Sequence, residues 1–288
     1  MIIFLSVLFG LLSMVFYALA NAYSKNLSQQ LGAPLTIFLR CFTIVVILGF
    51  ATALNYSGYV SWQYVIIAVI LGILGYLPLL AFTHGIKNSP IGIMAPIAGT
   101  APLVTVILST LFLSVVLTPF QWFAILLVLI ANVAISVDLK SWQNFKFIQT
   151  SNGIPLALAA AIGWGMFFFF LVPVADRLGP WLSAFLVELG VAIAAGIHLK
   201  ITSQKINYRK AFSWPVISNG IFIAIGTLAF TIGISYYNVG IVVTLGQSSA
   251  LITILLGVWI YKEHLTLKER VLSLIMIIGV ALLTFSGS

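Results

Sequence analysis

The segment Leu80-Ala-Phe-Thr-His-Gly-Ile86 returns later in the chain as Leu228-Ala-Phe-Thr-Ile-Gly-Ile234. The two copies continue without a gap from 80 to 118 and from 228 to 266, at a constant separation of 148 positions. Of the 39 aligned positions 13 are identical, and these include paired glycines and a closing Leu-Thr. A fixed long period is typical of a duplicated unit, whereas shared apolar composition would scatter the identities. The sequence therefore predicts two equivalent halves.

The composition indicates an integral membrane protein. Of the 288 residues 62% are hydrophobic and 6% are charged, which leaves too little polar surface for a soluble globule of this size. The apolar runs are continuous over about 18 to 24 residues, which favours membrane-spanning helices over the alternating pattern of a barrel. The net charge of +8 lies mainly in short loops, so no nucleic-acid partner is expected.

Ten candidate spans are predicted, and the fold class is therefore an all-α membrane protein. They cover residues 2–24, 34–54, 63–85, 91–114, 119–137, 153–175, 181–199, 214–236, 240–261 and 267–286. The first span lacks a basic segment before it, so we interpret it as a mature helix and not as a signal peptide.

The polar segment 138–152 is the predicted linker between a first five-helix repeat, residues 1–137, and a second, residues 153–288. Because each half has an odd number of spans, the second half must enter the membrane from the opposite face. The two repeats are therefore predicted to be inverted relative to each other.

The basic residues of the loops predict the orientation of the protein. With ten spans, eleven Lys and Arg residues fall on one face of the membrane and Arg177 alone falls on the other. The positive-inside rule makes the basic face cytoplasmic. We expect a multi-pass protein of the inner (plasma) membrane with both termini outside the cytoplasm.

Two ionisable residues lie well inside predicted spans. Arg40 is in the second span, and Glu188 is in the seventh span at the position equivalent by the offset of 148. A charge within the membrane costs at least about 2.5 kcal/mol, so each residue must face protein or water and find a partner. Two interpretations stay open: a pair that coordinates substrate or carries a proton, and a structural salt bridge with Arg40 snorkelling toward an interface.

Spans four and nine are predicted to be interrupted at matched positions. Gly99 and Thr100 stand between two prolines in span four, and Gln247 and Ser248 follow a glycine in span nine. Broken helices at matched positions of inverted repeats are typical of a binding site at the membrane midplane. The alternative is a packing kink in which hydroxyl groups bond back to their own helix.

Four other side chains are candidates to line a cavity. They are Tyr17, Asn21, His84 and Trp164. Interhelical hydrogen bonds or lipid contacts are the alternative roles for such residues within a membrane. No metal-ligand pattern or nucleotide-binding loop accompanies them, so no metal and no cofactor is expected and the energy source would be a gradient.

Several features resemble the EamA-type carriers of the drug/metabolite transporter (DMT) superfamily. They are the two five-span repeats, Leu31-Gly-Ala-Pro34 before Arg40, Pro102-Leu-Val in span four, and Tyr261-Lys-Glu-His-Leu-Thr266 before the last span. The resemblance implies a basket of eight helices around a central cavity, with spans five and ten outside it. It also implies amino acids or related small metabolites as substrates, often exported.

The predicted function is a secondary active transporter of small metabolites that works by alternating access. Its partners would be a small-molecule substrate and the lipid bilayer, and Glu188 could couple transport to protons; a monomer is compatible with this function, and the oligomeric state stays open. An intramembrane enzyme is disfavoured because the chain lacks acids or histidines at catalytic spacing. A passive channel is disfavoured because few polar residues fall on any one helix.

Overall fold

The protein is helical throughout the part of the chain that the structure describes. A computed structural model describes residues 2–56, 60–89, 94, 97–113, 116–136, 153–203, 213–236, 239–249, 251–252 and 266–285. These ranges contain nine helices and no strand, so the all-α class is confirmed there. The helices are α1 (Ile2–Leu31), α2 (Ala33–Asn55), α3 (Trp62–Asn88), α4 (Ala101–Phe112), α5 (Pro119–Ser136), α6 (Gly153–Ile201), α7 (Trp214–Tyr236), α8 (Val239–Gln247) and α9 (Leu267–Phe285).

Five of these helices, α1, α2, α3, α6 and α7, are long and apolar enough to cross a membrane. Helices α4, α5 and α9 are also apolar but contain shorter apolar segments. The linker 138–152 and parts of the predicted spans 91–114 and 240–261 lie outside the described residues. The count of ten spans therefore stays a prediction.

Helix α6 contains a sharp break that divides it into two parts. As one straight helix its 49 residues would be about 74 Å long, more than twice the bilayer core. Gly179 interrupts it with φ 75° and ψ 164°, a conformation that favours glycine, and Pro180 follows directly. The Ser183 hydroxyl donates to the Gly179 carbonyl at 2.6 Å across the break. We call residues 153–178 α6a and residues 180–201 α6b.

The turn between α1 and α2 uses the same local chemistry. Gly32 has φ 83°, Pro34 lies in the first turn of α2, and the Thr36 hydroxyl donates to the Gly32 carbonyl at 2.8 Å. Gly32 and Thr36 each precede their counterparts in α6, Gly179 and Ser183, by 147 positions. The repeat in the sequence is thus also a repeat in the backbone.

The helices of the two halves pack against each other. Helix α3 packs along α6, α1 packs against α7, and α2 packs against both α6 and α7. The contact between α3 and α6b is close enough that a Cβ atom on Gly190 would lie 2.9 Å from the Cα atom of Gly72. Helices α5 and α9 pack on each other. The space between the halves is therefore enclosed mainly by α1, α2, α3, α6 and α7.

Candidate functional site

A cavity lies between the two halves. It offers about 130 Å³ to the centres of water-sized molecules, which is room for several waters or a small organic solute. Its described lining comes from α1, α2, α3, α6, α7 and the interrupted segments next to α4 and α8. Helices α5 and α9 contribute no described residue to it, as the family resemblance implies for spans five and ten.

Seven of the ten candidate residues line this cavity. They are Tyr17, Asn21, Arg40, Gly99, Trp164, Glu188 and Gln247. The structure thus brings together residues that are spread over most of the chain.

The other three candidates lie outside the lining, and we leave them out of the proposed site. His84 is exposed, because its neighbour Thr83 faces the cavity and successive residues of a helix point about 100° apart. The Thr100 hydroxyl donates to the Ile97 carbonyl at 2.7 Å. The Ser248 hydroxyl donates to the carbonyl four residues before it, also at 2.7 Å. Both hydroxyls behave as the packing-kink alternative describes.

The interruption of spans four and nine is nevertheless present in both halves. The Leu103 amide donates to the Thr100 carbonyl at 2.9 Å, and the Leu251 amide donates to the Ser248 carbonyl at 3.0 Å. Both bonds join residues three apart, as in a tight turn, and they are separated by the repeat offset of 148. The residue just before each turn, at 99 and at 247, lines the cavity.

The Glu188 carboxylate accepts hydrogen bonds at both of its oxygens. Thr227 Oγ1 donates to Oε1 at 3.2 Å, and Cys41 Sγ donates to Oε2 at 3.9 Å. Tyr17 Oη in turn donates to Thr227 Oγ1 at 3.5 Å. Side chains from α1, α2 and α7 therefore converge on one carboxylate of α6b.

Arg40 lines the same cavity with part of its guanidinium group unpaired. Its Nε atom is buried and has no hydrogen-bond partner among the described residues. Leaving such a donor unsatisfied costs about 1–3 kcal/mol or more. The hydrogen-bond donors to Glu188 in the described chain are Thr227 and Cys41, so the geometry does not favour a simple structural salt bridge with Arg40.

Equivalent positions of the two halves line the cavity together. Five pairs of lining residues are separated by 148 positions: Gly75 and Ile223, Leu79 and Thr227, Phe82 and Phe230, Thr83 and Thr231, and Gly99 and Gln247. Four further pairs are separated by 147: Tyr17 and Trp164, Asn21 and Phe168, Ser24 and Leu171, and Arg40 and Val187. The sequence pairs Arg40 with Glu188 by the offset of 148, but the backbone repeat of 147 that begins at Gly32 and Gly179 pairs Glu188 with Cys41 instead.

Sequence reasoning missed part of this lining. Phe82, Thr83, Phe230 and Thr231 belong to the repeated segment that first revealed the two halves, so their identity at equivalent positions was an available signal. Thr227 was not singled out, because its counterpart Leu79 is apolar and a lone hydroxyl in a span usually bonds to its own helix.

The apolar helices surround a cavity that contains the side chains of Arg40 and Glu188. These features define the class of protein as a multi-helix membrane protein with an internal site for a small solute. Two stretches of the chain, residues 4–137 and residues 151–285, match the EamA-like transporter family, and the chain belongs to that family. The family is part of the DMT superfamily, so the resemblance seen in the sequence is confirmed. The chain is a DMT-type transporter and an integral membrane protein.

Individual relatives match parts of the chain. An uncharacterised protein of Methanocaldococcus jannaschii is 29% identical over 140 residues, which are 49% of this chain and 100% of that protein. The Staphylococcus aureus protein RbsU, whose name proposes ribose uptake, is 26% identical over 162 residues. That match covers 54% of each protein, so the chain spans about half the length of RbsU. A crystal structure of another protein matches with a TM-score of 0.73 at 18% identity, over 98% of this chain and 97% of that one, and shows a shared fold.

Proposed function

We propose that this transporter is a secondary carrier that exports amino acids or related small metabolites by alternating access. The observation that carries the proposal is the presence of Arg40 and Glu188 in one cavity. An amino acid carries a carboxylate and an ammonium group. The planar donors of Arg40 suit the carboxylate, and the carboxylate of Glu188 suits the ammonium group.

The rest of the lining suits an amino-acid side chain. Trp164, Phe168 and Phe230 supply aromatic surface, and Phe168 and Phe230 pack with their ring centroids 4.9 Å apart. Binding sites for small molecules typically combine mostly apolar walls with a few placed polar groups. A substrate with one apolar end and one zwitterionic end would match both features.

Alternating access would use the two halves as inverted rocking units. The paired lining residues and the matched interruptions in spans four and nine support this mechanism, because each half contributes equivalent positions to the same cavity. The proposal also includes proton coupling through Glu188. In the inner membrane the basic face would be cytoplasmic, and both termini would lie outside the cytoplasm.

A pentose sugar is the second candidate substrate. The name of the relative RbsU favours it, and so does the combination of the Trp164 ring with hydroxyl and amide groups such as those of Tyr17, Asn21 and Thr231. An aromatic face with surrounding hydrogen-bonding groups suits a ring that bears hydroxyl groups.

Counterflow into proteoliposomes tests these functions. Vesicles loaded with unlabelled solute should transiently accumulate the same radiolabelled solute, first across a panel of neutral amino acids and then with ribose. The Arg40→Gln variant should lose amino-acid counterflow, whereas Arg177→Gln, at an exposed position outside the cavity, should keep it. Flux without counterflow would indicate a channel, chemical conversion of the label would indicate an enzyme, and accumulation of ribose alone would select the sugar.

A further inference from the structure

The hydrogen bonds around Glu188 differ in whether they cross between the two halves. Thr227 and Glu188 both belong to the second half, and their bond is 3.2 Å long. Tyr17 and Cys41 belong to the first half, and their bonds to Thr227 and Glu188 are 3.5 Å and 3.9 Å long. The short bond therefore lies within one half, and the two long bonds join one half to the other.

This arrangement predicts which contacts change when the halves move. A rocking motion changes distances between halves more than distances within a half. The pair of Thr227 and Glu188 would move as a unit, and the contacts from Tyr17 and Cys41 would be made and released. Thr227 stands at the junction, since its hydroxyl accepts from Tyr17 and donates to Glu188.

We propose that Thr227 is a positioning residue for Glu188. Its hydroxyl fixes the Glu188 carboxylate of α6b to α7, and through the hydrogen bond from Tyr17 it links the position of that carboxylate to α1. Without this hydroxyl the carboxylate loses a donor at Oε1. It would then turn toward Arg40, whose Nε atom has no partner in the described chain and whose charge acts on Glu188. The contact at Oε2 with Cys41 would be given up.

The groups that face Glu188 can be stated for each helix packed around it. Tyr17 approaches from α1, Arg40 and Cys41 approach from α2, and Thr227 approaches from α7. Of these four, Thr227 is the only side chain that does not ionise. Its removal therefore changes position without adding or removing a titrating group.

Cys41 provides a built-in reporter, because it is the single cysteine of the chain and it is buried. The test measures the rate at which N-ethylmaleimide alkylates Cys41 in the purified full-length protein, between pH 6 and pH 8, by mass spectrometry. A thiol that is buried and engaged is protected, so release of its contact with Glu188 should speed alkylation. Thr227→Val keeps the side-chain shape and removes the hydroxyl, whereas Thr227→Ser keeps the hydroxyl.

We expect alkylation of the Thr227→Val protein to be about tenfold faster than wild type, as loss of a hydrogen bond to a charged group allows. Thr227→Ser should restore the wild-type rate. Thr244→Val should leave the rate unchanged, because the Thr244 hydroxyl is buried, donates to the Gly240 carbonyl at 2.7 Å and lies outside the cavity lining. In a Glu188→Met protein, whose side chain offers Thr227 no oxygen to hold, adding Thr227→Val should have no further effect.

A wild-type rate in Thr227→Val would overturn the proposal, and so would an undiminished effect in the Glu188→Met background, which would indicate general loosening. If Thr227→Val yields no folded protein, Tyr17→Phe takes its place. Tyr17→Phe removes the hydroxyl that donates to Thr227, so the alkylation rate should increase about threefold. An unchanged rate would refute the link from α1 through Thr227 to Glu188. The role of Glu188 rests on the proposed function, but the assay needs no substrate, so failure of amino-acid counterflow and failure of this proposal are separate results.

Discussion

Replacing Glu188 by glutamine removes the one carboxylate among the described residues that line the cavity. Glutamine keeps the shape of the side chain, and its amide oxygen can accept the hydrogen bond from Thr227. We expect the Glu188→Gln protein to fold, to bind substrate and to exchange it across the membrane. Accumulation driven by a pH gradient should be lost, because the amide cannot carry a proton between the two sides.

The size of the effect follows from the number of acids in the cavity. The titratable groups that face Glu188 are Tyr17, Arg40 and Cys41, so a single carboxylate is available to carry one proton in each cycle. One proton moving down a gradient of one pH unit contributes about 1.36 kcal/mol, which supports about a tenfold accumulation of a substrate without net charge. The wild-type protein should approach this ratio for each unit of gradient, and Glu188→Gln should stay near a ratio of one.

Proteoliposomes with an imposed pH gradient and a membrane potential clamped at zero provide the assay. Asp176→Asn is the matched control, because Asp176 is an exposed carboxylate outside the cavity lining. Its accumulation ratio should equal that of the wild type. If a well-folded Glu188→Gln protein accumulates substrate as the wild type does, the proton hypothesis ends, and another gradient or facilitated diffusion must drive transport.

Three further predictions test other parts of the reasoning. Arg40→Lys keeps the charge and loses the planar pair of donors, so the half-saturation concentration for amino-acid counterflow should rise about tenfold; an unchanged value would contradict a carboxylate partner. Gly72→Ala drives a Cβ atom into the backbone carbonyl of Val187, with the Cα atom of Gly190 3.0 Å away, and should cost about 1–3 kcal/mol or more, seen as a lower melting temperature. Gly196→Ala is its control, because it meets only a movable phenylalanine ring at 3.3 Å, and equal melting temperatures would refute the close crossing. A tag at Ser288 should be labelled from outside intact cells, and labelling only from the cytoplasm would reverse the orientation.

Much of the fold could be predicted because duplication leaves a long-range signal that apolar composition alone does not. The offset of 148 located equivalent helices, although the two glycines with positive φ in the described chain, Gly32 and Gly179, were not predicted as breaks. The ends of spans were less predictable. No loop separates the predicted spans that end at 175 and begin at 181, because α6a runs to 178 and a single glycine with positive φ, Gly179, redirects the chain into α6b.

The site was predictable where the sequence placed a charge or a helix break in apolar surroundings. Arg40 and Glu188 stand out because ionisable groups in a membrane are costly and few. Hydroxyl groups were harder to rank, because most of them bond to their own helix, as Thr100 and Ser248 do. Thr227 differs only in the direction of its hydroxyl, which depends on how α7 packs against α1 and α6b and is not encoded in local spacing.

The paired lining residues explain how a duplicated scaffold can form a site with a direction. At two of the five pairs separated by 148 the residues are identical, the phenylalanines at 82 and 230 and the threonines at 83 and 231. In α2 and α6b the two halves differ in charge: Arg40 has the apolar counterpart Val187, and Glu188 has the counterpart Cys41. A pocket with the same charges in both halves would bind a zwitterion equally well in two orientations, whereas a cation from one half and an anion from the other leave one orientation favourable. Duplication thus accounts for the shape of the cavity, and divergence of a few paired positions accounts for its chemistry.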